Sequence, residues 1–188
     1  MRTTHPIISF TGMMTAGKTS ASKALRQWLG PQINGGGTPP WNLFSFADAL
    51  RDMLRPIGLT DWHFNEGKTV PIDWLDGKTP RQLMQSLGTE WGRGMVHPEI
   101  WVRLARSRLE AAAKSNVPVI NDDCRFDNEA QVIHALGGTV IEVRRPGLSR
   151  AEHASERGVS PDLIDAYIDN DGDLALLAQR VRKLCITF

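Results

Sequence analysis

The chain has 188 residues, 41% of them hydrophobic, and 22 Lys+Arg against 21 Asp+Glu leave a net charge of +1. That length suits one domain with a sizeable core, and the balanced charge excludes the strong basic field on which nucleic-acid or membrane-surface binding relies. Cys124 and Cys185 lie far apart without metal-ligand spacing, which excludes a disulfide framework or a zinc site and fits a reduced, cytoplasmic setting.

The N-terminus reads as having no signal peptide, and no stretch approaches the ~20 apolar residues of a membrane span. Ile7-Ile8-Ser9-Phe10-Thr11 is short and apolar and predicts a buried strand. It feeds Gly12-Met13-Met14-Thr15-Ala16-Gly17-Lys18-Thr19, the pattern G-x-x-x-x-G-K-T, and residues 20–29 predict a helix. Strand, glycine loop and helix in that order are the context of a phosphate-binding loop. The glycines let loop N–H groups point inward at phosphate oxygens, and the helix N-terminus adds partial positive charge. Gly12, Ala16, Gly17, Lys18, Thr19 and Ser20 are therefore the expected contacts of a nucleotide's phosphates, with Lys18 on the β- and γ-phosphates and the Thr19 hydroxyl on Mg²⁺.

Residues 30–40, with four glycines and three prolines, predict a loop. Residues 41–46 predict a second strand and 47–54 a helix with Ala47, Leu50 and Leu54 on one side. No periodicity marks 57–76. Thr79-Pro80 is a helix start, Thr as cap and Pro at the first helical position, with Gly88 expected to interrupt the helix that follows. Residues 98–115 carry the longest helical pattern. Residues 117–121 predict a strand ending at Asp122-Asp123, 128–136 a helix stopped by Gly137-Gly138, and 139–143 another strand. A basic stretch over 144–158 leads to a short helix at 161–167 and a last helix at 174–184, striped by Leu174, Leu177, Val181 and Leu184.

Helices alternating with strands apolar on both faces imply an α/β fold, a central parallel sheet covered on each side in three α/β/α layers. Ligands of such sheets lie outside the carboxyl ends of the strands. The glycine loop, residues 45–51, residues 122–125 and the loop after Val143 should therefore gather around one cleft. Asp122 or Asp123 is placed to hold Mg²⁺. Phosphoryl transfer also needs cations around the phosphates. Arg51, Arg81, Arg93, Arg125, Arg144, Arg145, Arg150 and Arg157 are the candidates. Arg125 follows the acidic strand end directly. Arg51 sits on the helix after the second strand, and the basic segment 144–157 has the character of a water-excluding lid. Trp91 and Trp101 are candidates to line a base pocket.

Assembled, these residues resemble the deoxynucleoside monophosphate kinases of tailed phages, P-loop nucleoside monophosphate kinases, over nearly the whole length. The resemblance rests on the glycine loop, on Phe46-Ala47-x-x-Leu50-Arg51, and on the block from Thr79-Pro80-Arg81-Gln82 through Gln85 to Thr89-Glu90-x-Gly92-Arg93. It continues through Asp123-Cys124-Arg125-Phe126-Asp127-Asn128-Glu129-Ala130, His153-Ala154-Ser155-Glu156 and Asn170-Asp171-Gly172-x-Leu174. It implies a P-loop kinase core (1–46 and 116–188), a small helical insertion for the monophosphate (about 47–115) and a lid (about 144–160). ATP would bind on the glycine loop, with Asn170 and Gly172 near its adenine and Asp123 rather than Asp122 on Mg²⁺. A deoxynucleoside monophosphate would lie against Phe46, Arg51, Arg81, Gln85, Thr89, Glu90, Arg93 and Trp101. Lys18, Arg125, Arg150 and Asp123 would carry the transfer. The partners implied are small nucleotides, without nucleic acid or membrane, in a homodimer in the cytoplasm of the host cell.

Dephospho-coenzyme A kinase is the nearest rival, but it leaves the Thr89 to Arg93 block unexplained. A regulatory GTPase would need an Asn-Lys-x-Asp motif, which the sequence lacks. A nucleic-acid-dependent ATPase would be expected to carry a basic stripe.

Overall fold

All five residues of β1, Ile7–Thr11, are buried, as an apolar strand covered on both faces must be. The computed structural model describes residues 7–34, 42–114, 118–148, 153 and 157–185, with the backbone alone for 30–34 and 185. The chain divides into two compact units, Met1–Ser45 with Arg106–Phe188, and Phe46–Ala105.

The first unit is built on a parallel sheet. β2 (Asn42–Phe44), β3 (Val119–Asn121), β4 (Thr139–Arg144) and β5 (Ala166–Asp169) join β1 in the order β2-β3-β1-β4-β5. The registers pair Ser9 and Phe44 with Asn121, and Thr11 with Glu142. On one face Ile8, Phe10, Ile120, Ile141 and Val143 pack with Leu25 of α1 (Lys18–Asn34) and with Leu177 and Val181 of α7 (Leu174–Cys185). On the other lies α6 (Asp127–Ala135), whose Ile133 is fully buried. Helix, sheet and helix make the three expected layers. β1 lies at the centre, so its carboxyl end and those of β3 and β4 open side by side, where ligands of such sheets bind.

The second unit has a smaller core of Leu54, Leu59 and Ile72, with Phe64, Leu75, Leu83, Met84 and Leu87 against it. These residues come from α2 (Asp48–Leu54), the one-turn α3 (Asp61–Phe64), short turns between them, α4 (Pro80–Gln85) and a π-helix over Ser86–Val96. The Thr79 hydroxyl accepts from the Gln82 N–H at 3.2 Å and the Gln82 side chain accepts from the Thr79 N–H at 2.8 Å, a capping box with Pro80 at the first helical position. α5 (Ile100–Lys114) crosses from one unit into the other along the chain.

Four expectations are corrected. The loop expected at 30–40 is not found over 30–34, where α1 continues. Extending a helix needs no new nucleus, and α1 runs on past Gly30 and Pro31 although these residue types cost about 1 and about 3 kcal/mol inside a helix. Residues 35–41 lie outside those described. Gly88 does not interrupt its helix: α4 passes directly into the π-helix, where Gly88 and Gly92 are buried. The helix expected at 161–167 is one 3-10 turn, Pro161–Leu163, followed by β5. Its Ile168 lies opposite Val143 in the core, and the Tyr167-Ile168 pair suits a half-covered edge strand. Leu174, expected in the stripe of the last helix, is 71% exposed, while Leu177 and Val181 are buried.

Candidate functional site

In the first unit, the loop between β1 and α1 makes a turn that only particular residues can follow. Gly12 has φ +130°, and a Cβ there would lie 2.3 Å from the carbonyl oxygen of Val143 on β4. Both facts require glycine. Lys18 is the first residue of α1 and its ammonium donates to the Gly12 and Met13 carbonyls, each at 2.8 Å, so its side chain curls back over the loop. Thr19 and Ser20 complete the first turn, at the positive end of a 17-residue helix. Ala16 is buried, and its carbonyl accepts from the Asn170 side-chain amide at 2.8 Å. The Asn170 N–H donates in turn to the Arg144 carbonyl at 2.6 Å. Asn170 therefore braces the glycine loop against the ends of β4 and β5, and this use of its amide was not expected from the sequence. Gly172 is exposed two residues on.

Beside the loop, at the end of β3, Asp123 is 9% exposed. One of its carboxylate oxygens accepts from the Asn121 side-chain amide at 2.7 Å and the other from the Ser45 hydroxyl through a short hydrogen bond. Asn121 reaches across the sheet: it donates also to the Phe44 carbonyl at 3.1 Å and accepts from the Ser9 hydroxyl at 2.8 Å. Sequence reasoning missed Ser9, Ser45 and Asn121. The signal was a polar residue within or just after each apolar strand, since a buried polar group demands a partner. Thr11, also fully buried at the end of β1, has a hydroxyl with no hydrogen-bond partner among the described residues.

Arg125 is half-buried where the chain leaves the strand, and Glu129 of α6 fixes its backbone by accepting from the Arg125 and Phe126 N–H groups at 2.8 and 3.3 Å. Burial, with the charge of Glu129 next, pushes the Cys124 thiol well above its ordinary range. Asp127 accepts from both the N–H and the hydroxyl of Ser160, at 2.8 and 2.7 Å. Arg144 lies 3.5 Å from the centre of the Tyr167 ring and pairs with Glu142 at 2.8 Å. The Arg145 guanidinium points back to the Thr15 carbonyl at 3.5 Å. Arg150 and residues 154–156 of the expected lid lie outside the described residues.

In the second unit, Arg51 pairs with Asp48 one turn earlier at 2.7 Å, and Phe46 is buried. Arg81 and Gln85 are half-buried on α4, and Thr89, Glu90 and Arg93 ride on the π-helix. Arg93 donates to the Pro98 carbonyl at 2.9 Å. Trp101 is 3% exposed and its indole N–H donates to the Gly88 carbonyl at 2.7 Å. Its ring fills the space a Gly92 side chain would occupy, an added Cβ lying 2.3 Å away. Trp101 is thus packed against the π-helix that carries Thr89, Glu90 and Arg93. Trp91, 39% exposed, has its ring centre 6.3 Å from that of Trp101.

The family described as deoxynucleotide monophosphate kinase matches residues 61–181 of this chain. The match runs from α3 into α7 and begins beyond the glycine loop. The deoxynucleotide monophosphate kinase of Enterobacteria phage T4 is 31% identical over 150 residues, covering 79% of this chain and 60% of the relative. A protein of Acanthamoeba polyphaga mimivirus, provisionally named for the same activity, is 29% identical over 169 residues, with 80% of each covered. Among solved structures, the Mycobacterium tuberculosis APS kinase in complex with AMPPNP and APS superposes with a TM-score of 0.53 at 13% identity, over 97% of this chain and 98% of that one. At that identity the likeness is one of fold, a P-loop kinase fold.

Proposed function

Because the chain belongs to the deoxynucleotide monophosphate kinase family, we propose that it transfers the γ-phosphoryl group of ATP to the 5′-phosphate of a deoxynucleoside monophosphate. A bond forms between an acceptor phosphate oxygen and the γ-phosphorus, the bond from that phosphorus to the bridging oxygen breaks, and ADP leaves with the electron pair. The acceptor is anionic at neutral pH, so no strong base is required. Catalysis is then positioning and charge neutralisation.

The observation that carries the reading is the pairing of a G-x-x-x-x-G-K-T loop, Lys18 folded over it, with the carboxylate of Asp123 at the end of the neighbouring strand segment. Loop N–H groups and Lys18 would hold the donor phosphates. Arg125, with Arg150 from the lid, would offset charge on the group in transfer. Arg51, Arg81 and Arg93, with Phe46, Gln85, Thr89 and Glu90, would hold the acceptor. The Thr19 hydroxyl and the Asp123 carboxylate are hard oxygen donors of the kind Mg²⁺ takes while keeping waters. The buried Thr11 hydroxyl without a partner among the described residues is a further polar atom at that strand end. Mg²⁺ held by the Thr19 and Asp123 oxygens would supply charge neutralisation to the donor phosphates. Asn170 braces the loop, and adenine would rest nearby.

The test is ADP release with Mg·ATP and dTMP, dGMP, dCMP, dAMP or dUMP, with dephospho-coenzyme A as a sixth acceptor. Turnover with at least one deoxynucleotide is expected, and Lys18→Ala should reduce it by about 10³-fold while circular dichroism stays unchanged. Turnover with dephospho-coenzyme A alone, or with none of the six, would overturn the reading.

A further inference from the structure

A carboxylate that serves a metal ion must be held at one rotation, because the terminal torsion of Asp is broad and soft. Asp123 has hydrogen-bond donors on both oxygens, Asn121 on one and Ser45 on the other. Each oxygen has more than one acceptor direction, so a donor on each fixes the carboxylate plane without exhausting its capacity to accept.

The two donors differ in how they are themselves fixed. Asn121 is 0% exposed. Its two N–H bonds go to Asp123 and to the Phe44 carbonyl of β2, and its oxygen accepts from Ser9 of β1 and, at 3.4 Å, from the Asp123 N–H. Both amide hydrogens and the carbonyl oxygen are engaged, by partners from three adjacent strand segments. The orientation of the amide is unambiguous, because Phe44 and Asp123 offer only acceptors on that side. An Asp at this position would accept but could not donate; a Leu would fill similar volume with neither. The residue type is thus required by its four partners and not by packing alone.

We propose that Asn121 is a positioning residue for catalysis: locked into the sheet on both sides, its amide sets the rotation of the Asp123 carboxylate toward the metal that accompanies the nucleotide. The proposal rests on the reading of Asp123 as the metal carboxylate, and its partners are of the outer-shell kind whose loss costs 10–100-fold in metal affinity.

The test measures Mn²⁺, used in place of Mg²⁺, by its electron paramagnetic resonance signal with enzyme and a non-hydrolysable ATP analogue. Asn121→Leu and Ser45→Ala are compared with Asp123→Ala, with steady-state kinetics alongside. Asn121→Leu should weaken Mn²⁺ binding by about 10-fold, raise the Mg²⁺ requirement for turnover and leave the acceptor KM unchanged. A purely structural Asn121 would lower the unfolding temperature without moving the Mn²⁺ affinity. If Asp123→Ala weakens the metal and Asn121→Leu does not, the proposal fails and the metal reading stands. If Asp123→Ala leaves Mn²⁺ binding intact, the metal reading fails and the proposal with it. Should Asn121→Leu not fold, Asn121→Ala carries the test: it withdraws the same amide from Asp123, and unchanged Mn²⁺ affinity in it would overturn the proposal.

Discussion

Cys124 stands between Asp123 and Arg125 and is fully buried, so its thiol is surrounded by groups that oppose its ionisation. Burial is the main cause and the Glu129 carboxylate the next, with the Ser9 hydroxyl working in the other direction. A raised value in the folded protein means that folding favours the neutral thiol. The stabilisation is full below the ordinary thiol range of about 8.5 and is lost as pH rises through it. Urea midpoints should therefore fall between pH 8 and pH 10, and Cys124→Ala should flatten that fall. A wild-type midpoint that rises over the same interval, or an identical slope in the variant, would contradict the assignment. The same environment makes Cys124 a poor nucleophile, since the thiolate is the reactive form. A cysteine beside the proposed site is therefore a packing residue.

At the scale of elements, the π-helix Ser86–Val96 has the least ordinary geometry in the described chain. Such helices are rare and are frequently found at functional sites. Here its cause is visible: Gly88 approaches Leu50, Gly92 approaches the Trp101 ring, and the Trp101 indole donates to the Gly88 carbonyl. Gly88 reads in sequence as a helix breaker, because the partners of the two glycines lie elsewhere in the chain. They are in fact the thin places where a large ring packs against backbone. Gly92→Ala should cost about 1–3 kcal/mol through overpacking, read from urea unfolding. Trp101→Phe removes the indole N–H bond to the Gly88 carbonyl, for a loss of about 0.5–1.5 kcal/mol. Since the helix carries Thr89, Glu90 and Arg93, Trp101→Phe should also raise the acceptor KM while leaving that of ATP within about twofold. Equal changes in both would remove the π-helix from acceptor binding. β5 was illegible for a related reason: only Ile168 of its four residues is buried, so no periodicity announces it.

Across the whole molecule, what the sequence made legible is what short stretches encode by themselves. Five consecutive buried residues, a glycine loop and the first turn of a helix are contiguous, so β1, the loop and α1 could be read from the sequence. The polar lattice beneath Asp123 joins residues 77, 78 and 112 positions apart, and no local pattern can report such pairs. The division into two units has the same character, and it bears on how the two nucleotides are recognised. The residues proposed for the donor, from Gly12 to Ser20 with Asp123 and Arg125, belong to one unit, whereas Arg51, Arg81 and Arg93, proposed for the acceptor, belong to the other. Each unit has its own hydrophobic cluster, so a ligand held by one should slow amide exchange chiefly there. With Mg²⁺ and a non-hydrolysable ATP analogue, hydrogen exchange should slow over 12–21 and 122–126. With the deoxynucleotide that supports turnover, it should slow over 48–54 and 81–97. Arg51→Ala should weaken the second pattern and spare the first, and its acceptor KM should rise by about 10-fold or more, in keeping with the loss of a charged hydrogen bond worth roughly 1.5–3 kcal/mol. If the deoxynucleotide instead protects the glycine loop alone, the second unit is not the acceptor's holder, and both nucleotides compete for a single phosphate cradle.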